Sequence, residues 1–556
     1  MRKYILILLP LLVAAQAVFA QSDVQYSVNN LMRYGNGKQI QTDGLGDVFE
    51  YFETQTNVRL YVNDFTVGFQ YQYDDPPEFG PRIQAVDERF VEFRRAGVEL
   101  RLGHGYSLYG KGLAMNLFED RAINYDTKLD GFKGVYRDDL IQAEATAGTV
   151  VYYDLIDYDR REEYSVRSAH LQLRPYKWLR FGGSLVGVNG ELPSPIVTPD
   201  GPSFDQVDAE IPHAMLSLSG FGLDVFASYA KKTSRVVRPL GGNTFNSFES
   251  SGEGIYGSVV YTKGSLGVTF EYKDYKFDLV NPDLQVERNR PTKALPIQVP
   301  PQVFKEHSFF LLSRDPHVIN FNDEIGMQLD VYYALSPELT LNLNGAVASR
   351  HYAYEGQFRD WTRIEPESSI MPSMDGEFSP FYELYADAEW YFDGQSYIKV
   401  AFNRRYDEQW EDRHIKHSTS LPILIEYILD DVYSLGVALE QQFYHDSVKK
   451  DKPDYYNQYV SVTLGKSPDW TATVRLEYTT DESLFRAGVT DPNAEFPAFQ
   501  SGKNFWRTVE FSYRLGYAHT ATVSYGNERG GIVCSNGICR NVLPFDGLRL
   551  MLLTQL

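Results

Sequence analysis

Along most of its length the chain alternates apolar and polar side chains with a period of two. Successive side chains of a strand point to opposite faces, so each such stretch is a strand with one apolar face. In 381–391, Leu384, Ala386, Ala388 and Trp390 share one face, and Glu383, Tyr385, Asp387 and Glu389 share the other. In 325–333, Ile325, Met327, Leu329 and Val331 oppose Gly326, Gln328 and Asp330; in 471–478, Ala472, Val474 and Leu476 oppose Thr473, Arg475 and Glu477. The same pattern runs through 339–343, 396–406, 505–515 and 520–525, and no helix-period segment of useful length interrupts it. Many of these segments extend to about 9–11 residues, the length that carries a tilted strand across a bilayer.

The connections fall into two classes that alternate from residue 174 onward. Short ones lie at 174–177, 220–222, 262–264, 336–338, 393–395, 430–431 and 466–469; long polar ones lie at 190–212, 232–252, 281–322, 350–379, 407–417, 446–454 and 481–503. A β-sandwich has no reason to keep its long loops at one end, and a propeller would repeat with a fixed period. Short periplasmic turns and long external loops are the mark of an up-and-down outer-membrane barrel. The expectation is therefore an all-β protein: a large antiparallel transmembrane β-barrel of about 22 strands, within 18–24, even-numbered like bacterial single-chain barrels.

In such a barrel the apolar face meets lipid and the polar face meets a lumen. Asp330, Glu383, Asp387, Lys399, Arg405, Arg475, Glu477, Glu510 and Arg514 are the lumen-facing candidates. On a single strand the same charges would be read as the wet side of a soluble sheet. A dozen such strands with one-sided loops favour the barrel. The aromatic content of 14% fits belts at the two membrane interfaces. Residues 136–556 are assigned to the barrel wall; residues 21–135 carry two hairpins that are either its first strands or a partial plug folded inward.

Arg2 and Lys3 precede an apolar run at 4–13, and Val18-Phe19-Ala20 ends it with small residues at the cleavage-site positions. Residues 1–20 read as a signal peptide. Residue 21 is Gln rather than Cys, which argues against a lipoprotein anchor, and no later stretch has 18 consecutive apolar residues. The expected location is the bacterial outer membrane. The expected partners are its lipid and lipopolysaccharide, the barrel-insertion machinery and proteins of a surface complex. A formal net charge of −21 makes nucleic acid a poor partner.

The two cysteines sit in Cys534-Ser535-Asn536-Gly537-Ile538-Cys539. Asn-Gly is a strong signal for a two-residue hairpin turn. It pairs Ser535 with Ile538 and Cys534 with Cys539, at a side-chain separation that suits a disulfide. Closing so short a loop stabilises by roughly 2 kcal/mol on a chain-entropy argument. Mass spectrometry of exported, non-reduced protein is expected to find the Cys534–Cys539 crosslink; two alkylatable thiols would refute it.

Chemistry is sparse. His104 and Ser107 are close in sequence but lack a nucleophile elbow. Asp154, Asp157 and Asp159 lack the glycine and closing glutamate of a calcium loop, and read as solvated carboxylates. His414 and His417 could share a metal only if a polar loop aimed both at one point. There is no phosphate-binding or dinucleotide motif. No enzyme activity, cofactor or metal is expected.

The stretch 89–134 carries a strand pair leading into Gly103, Tyr106, Gly110, Gly112 and Leu113, then Tyr125-Asp126 and Gly131. With Ser379-Pro380-Phe381 and Arg529-Gly530-Gly531, it resembles a family of uncharacterised exported proteins of the Bacteroidota and related bacteria. That resemblance implies an outer-membrane β-barrel without an established activity. One departure from common barrels is the ending Thr554-Gln555-Leu556, which has no terminal aromatic residue. The leading functional expectation is a porin-like channel or transport barrel. A structural barrel of a surface or secretion complex is the second, and an outer-membrane enzyme is the weakest.

Overall fold

The computed structural model describes residues 24–40, 46–153, 161–198, 201–241, 244–277, 295–314, 316–355, 362–364, 370–409, 414–449, 452–484, 503–535 and 538–556. Residues 1–20, expected to be a signal peptide, and the acidic residues 154–159 lie outside them, as do residues 536–537, expected to form the hairpin turn. Twenty-four strands form one antiparallel sheet in which each strand pairs with its neighbours along the chain. They are β1 Val24–Ile40, β2 Gly46–Val62, β3 Phe65–Asp74, β4 Gln84–Arg95, β5 Val98–Gly105, β6 Leu129–Arg137, β7 Ile141–Tyr153 and β8 Arg161–Tyr176. Next come β9 Leu179–Thr198, β10 Gly201–Gly220, β11 Leu223–Gly241, β12 Thr244–Lys263, β13 Leu266–Lys276, β14 Glu324–Ala334, β15 Leu339–Ser349 and β16 Phe381–Tyr391. The last are β17 Tyr397–Gln409, β18 His414–Ile428, β19 Tyr433–Asp446, β20 Asp454–Lys466, β21 Trp470–Thr479, β22 Phe505–Leu515, β23 His519–Glu528 and β24 Phe545–Gln555. The sheet closes where β24 pairs with β1, Asn29 opposite Gln555 and Gln39 opposite Phe545. Leu556, the residue without an aromatic ring, exchanges backbone hydrogen bonds with Val28 at 2.8 and 2.9 Å. Closure leaves no unpaired sheet edge, the condition a membrane imposes on strands.

Short turns and both described termini sit at one end. Val24 pairs with Val62 beside the turn at Asn63-Asp64. Positive φ values at Asn63 (51°), Ala96 (48°) and Phe221 (56°) show how these turns reverse the chain in two residues. The first six strands belong to the wall, and the connection 106–128 between the fifth and the sixth turns inward.

The long connections differ from the sequence reading in four stretches. Stretches 190–212 and 232–252, read as loops, are largely strand: β9, β10 and β12 are 20 residues long and β11 is 19. The described part of 281–322 runs inside the barrel. The described part of 350–379 folds down over its outer face.

The long strands reveal a change of polarity along the barrel. Near the short turns the outward side chains are apolar: Leu171 and Ala169 on β8, Phe181 and Leu185 on β9, Leu216 and Ala214 on β10, Tyr229 on β11, Ile255 on β12. One step further the same face carries Arg167, Glu210, Lys231 and Glu253, and beyond them Glu163, Asp208 and Arg235. The registers hold these residues at matched levels, with Ala169 opposite Leu185 and Leu185 opposite Pro212. The inward face switches in the opposite sense. It carries Ser217, His170, Ser184 and Asp224 near the short turns, then mainly Val166, Val186, Val188, Val207, Ala209 and Ile211 above them, with Lys232 and the Arg238–Asp205 ion pair buried on the same face. The lower part is built like a membrane barrel, greasy outside and polar inside; the upper part is built like a water-soluble barrel around an apolar core.

Candidate functional site: the occupied lumen

A closed sheet of this strand number is roughly 45–50 Å across at the strand spacing and tilt of membrane barrels. Side chains alone cannot fill that width, so the lumen holds water or more chain. Among the described residues it holds most of two connections, 106–128 between β5 and β6, and 295–323 between β13 and β14, and Ile538 of the 531–542 hairpin packs against the same core. The two connections are bonded to each other: the Asn116 backbone N–H donates to the Ile297 carbonyl at 2.7 Å, and the Gln298 side-chain Nε2 donates to the Leu113 carbonyl at 2.8 Å.

The first connection anchors the apolar half. Tyr109, Leu113, Met115, Leu117, Ile123 and Tyr125 pack with the inward residues of β8–β12 and with Ile297 and Val299. The glycine motif explains the fit. Gly110 and Gly112 adopt φ of +61° and +98°, a region that disfavours a Cβ. A Cβ at Gly112 would lie 2.0 Å from the Val299 carbonyl oxygen, and one at Gly110 would lie 2.3 Å from His213 Nε2. The two glycines let the connection press flat between the wall and the second segment.

The second connection crosses the lumen along a row of wall carboxylates. His307 Nε2 lies 3.0 Å from Glu383, which also accepts from Asn403 at 2.7 Å and from Arg405 at 3.0 Å. Glu440 accepts the Phe310 and Leu311 N–H groups at 2.8 and 2.7 Å, capping the single helical turn Phe310–Ser313 as an anion at a helix start. Phe310 stacks on Tyr459 at 4.1 Å. Arg314 pairs with Glu477 at 2.6 Å, and Glu477 also pairs with Arg529 at 3.2 Å. His317 then reaches Asp407 at 3.2 Å and Glu324 at 3.5 Å. Partners on β14, β16, β17, β19, β20 and β21 can be touched by one segment only from inside the cylinder. The described residues of 304–317 are thus a strap held mainly by charged and hydrogen-bonded contacts, with Phe309 and Leu312 packed on Tyr385 and Ala401, whereas 106–128 is held mainly by apolar packing.

His317 ties the strap to pH. Burial opposes its charge, but the carboxylates of Asp407 and Glu324 outweigh burial and raise its pKa from 6.5 to about 9. A group with a raised folded pKa holds the structure fully below pH 6.5 and loses that hold as pH passes 9. A spin label at the exposed Ser308, carried by Ser308→Cys in a Cys534→Ser/Cys539→Ser background, is expected to sharpen its spectrum above pH 9. His317→Gln should abolish that transition; an unchanged transition would contradict the assignment.

The nine lumen candidates share the inward register and stand at two levels. Glu383, Arg405 and Glu477 are at the strap. Asp330 lies below it, 3.4 Å from Lys305 and accepting from Asn344 at 3.0 Å. Lys399 lies 3.3 Å from Glu389 and 3.8 Å from Asp387. Arg475 forms two bonds of 3.1 Å to Glu510, and Arg514 is exposed nearest the short turns. The backbone sets Cys534 opposite Cys539; their side chains lie outside the described residues. His414 points inward to Asp446 at 2.7 Å, while His417 lies on the other face, stacked on His445, so the pair shares no ligand. Among the described residues no cluster of three metal-binding side chains occurs. His104 takes the Arg89 N–H at 3.0 Å and lies 3.7 Å from Asp130. Sequence reasoning missed His307, Glu440, Arg314 and His317. Glu440 was readable as an inward charge on β19, but 295–323 has no period to mark it as an inner segment.

A cleft of about 760 Å³ opens between β1–β4 and the hairpin near 119–128, lined among others by Arg33, Glu53, Asp74, Tyr125 and Lys128. Its charges pair locally, with Lys128 2.6 Å from both Asp87 and Asp126 and Arg33 2.5 Å from Glu53.

Among solved structures the chain is similar to outer-membrane barrels. A ferric enterobactin receptor (PfeA) from Pseudomonas aeruginosa aligns with 95% of this chain and 80% of its own, at 9% identity and TM-score 0.46. The P pilus usher (PapC) translocation pore aligns over 95% and 99%, at 8% and 0.42; the copper transporter OprC over 96% and 81%, at 8% and 0.43. Likeness at this level carries no functional argument. No curated protein matches the chain. A family described only as of unknown function matches residues 1–556.

Proposed function

The chain belongs to that family, DUF6029, and we propose that it is a transport-type barrel of the bacterial outer membrane, closed at rest by its own strap. The observation that carries this reading is the difference between the two fillers. Apolar packing under β8–β12 has nowhere to go without exposing a core. The 304–317 strap rests mainly on charged and hydrogen-bonded groups, which water can solvate if it leaves, and buries a smaller apolar set, Phe309 and Leu312 against Tyr385 and Ala401 and Phe304 against Phe381. Behind it lies a polar wall with Glu383, Arg405, Glu440, Glu477, Arg475 and Glu510, the lining an aqueous path requires. The apolar outer belt is the face for lipid, with lipopolysaccharide meeting the charged upper surface and the barrel-insertion machinery assembling the protein. Recording in planar bilayers tests the proposal. The intact protein is expected to be mostly silent with brief openings, and Arg314→Ala/Glu477→Gln to lengthen them. A folded barrel silent in both forms would leave the scaffold role, in which the strap is permanent filler.

A further inference from the structure

Loop 350–379 carries a feature that transport does not use. Its described parts fold down the outside of the wall. His351 clamps it to the strand ends, with Nε2 2.9 Å from Asp274 and Nδ1 2.8 Å from Asp323. Arg350 N–H donates to the Phe378 carbonyl at 2.8 Å, Ser373 N–H to Ser349 Oγ at 2.9 Å, and the Tyr272 hydroxyl to the Ile370 carbonyl at 3.2 Å. Asp375 caps the tight turn Gly376–Phe378 by accepting from the Glu377 N–H at 3.2 Å. Ile325, on the outward face of β14, is 0% exposed. The segment so held presents Ile370, Met371 and Met374 at 77%, 55% and 53% exposure, with no charged residue from 370 to 374.

The level of this segment identifies its occupant. Tyr272 pairs with Met327, and Met327 with Val347, the topmost outward row of the apolar belt on β13–β15. One row higher stand Asp274, Ile325 and Ser349, where the clamp begins. The exposed apolar residues are therefore continuous with the belt and sit at its upper edge, where the headgroups of a bilayer meet the acyl chains. We infer that residues 370–374 form an interfacial anchor that dips into the outer leaflet and fixes the height of the barrel on the β13–β15 side. Its partner is lipid. The inference rests on the membrane reading of the belt, and its test separates the two.

Single cysteines are placed at Ile370, at Leu343 in the belt and at Arg235 on the charged upper surface, each in a Cys534→Ser/Cys539→Ser background. Each carries an environment-sensitive NBD label, in phosphatidylcholine vesicles containing lipids with nitroxides both near the headgroup and midway along the acyl chain. The anchor predicts loss of most emission at Ile370→Cys, as in the belt, and little loss at Arg235→Cys. Quenching at Leu343→Cys with none at Ile370→Cys overturns the anchor and leaves the barrel standing. Absence of quenching at Leu343→Cys as well overturns the membrane reading and the anchor with it. Ile370→Asp/Met374→Asp checks the same point without a label: it should make Tyr272 and Val347 more accessible to aqueous probes, and unchanged accessibility counts against the anchor.

Discussion

Replacing residues 304–317 by a Gly/Ser stretch of equal length is expected to turn a silent barrel into one that conducts continuously in planar bilayers. The replacement removes the Arg314 and His317 charges, the His307 hydrogen bond and the Phe310 ring, and with them partners of Glu477, Asp407, Glu383 and Tyr459. A flexible linker has no comparable hold on the wall. The carboxylates it uncovers face water rather than hydrocarbon, so the wall keeps its fold. Arg405 still neutralises Glu383, Asn403 still donates to it, and Arg529 still neutralises Glu477. The expected current favours cations, because more acidic than basic groups are uncovered. Heat-modifiable migration in gels would establish that the variant is folded. A folded variant that stays silent would show that the 106–128 filler seals the lumen by itself.

The second large effect comes from placing charge on the two sides of the polarity switch. Leu343→Arg, in the middle of the outward belt, is expected to cost about 2–4 kcal/mol of folding stability in lipid. Val237→Arg, also outward but on the upper part of β11, should stay within about 0.5 kcal/mol. Inside the barrel the order reverses. Val188→Asp, in the upper core, is expected to cost several kcal/mol because it buries an unpaired carboxylate, whereas Ser217→Asp, inward but lower, should be tolerated. Urea unfolding from vesicles measures all four. Equal costs for Val188→Asp and Ser217→Asp would mean that the upper lumen is wet.

Much of the wall was legible because hydrophobic period and strand geometry have the same physical origin. Leu384 and Glu383 take opposite faces for the reason the alternation gives, and the strand count of 24 lies at the upper end of the expected range. The upper strands were misread because the pattern changes phase. In β10 the apolar residues are Leu218, Leu216 and Ala214 below Pro212, then Ile211, Ala209 and Val207 above it. Alternation survives the switch, but the outward residues become Glu210, Asp208 and Gln206, and a polar run with Pro and Gly reads as loop. The candidate site was half visible. Its wall carboxylates follow from parity, but their partners come from a proline-containing segment without a period, whose position depends on contacts made far away in sequence. The glycines of 103–112 were noticed as a motif; why Gly110 and Gly112 must be glycine becomes clear only where His213 and Val299 press on them.

The phase switch itself can be read residue by residue. In a Cys534→Ser/Cys539→Ser background, cysteines along β11 in vesicle-inserted protein would be treated with a membrane-impermeant thiol reagent. Val225→Cys and Ala227→Cys should stay unlabelled in lipid, Lys231→Cys and Arg235→Cys should label fully, and Ala230→Cys and Val236→Cys should stay protected in the core. Labelling at 225 and 227, or labelling at 236 with protection at 235, would contradict a barrel that is oily outside below and oily inside above.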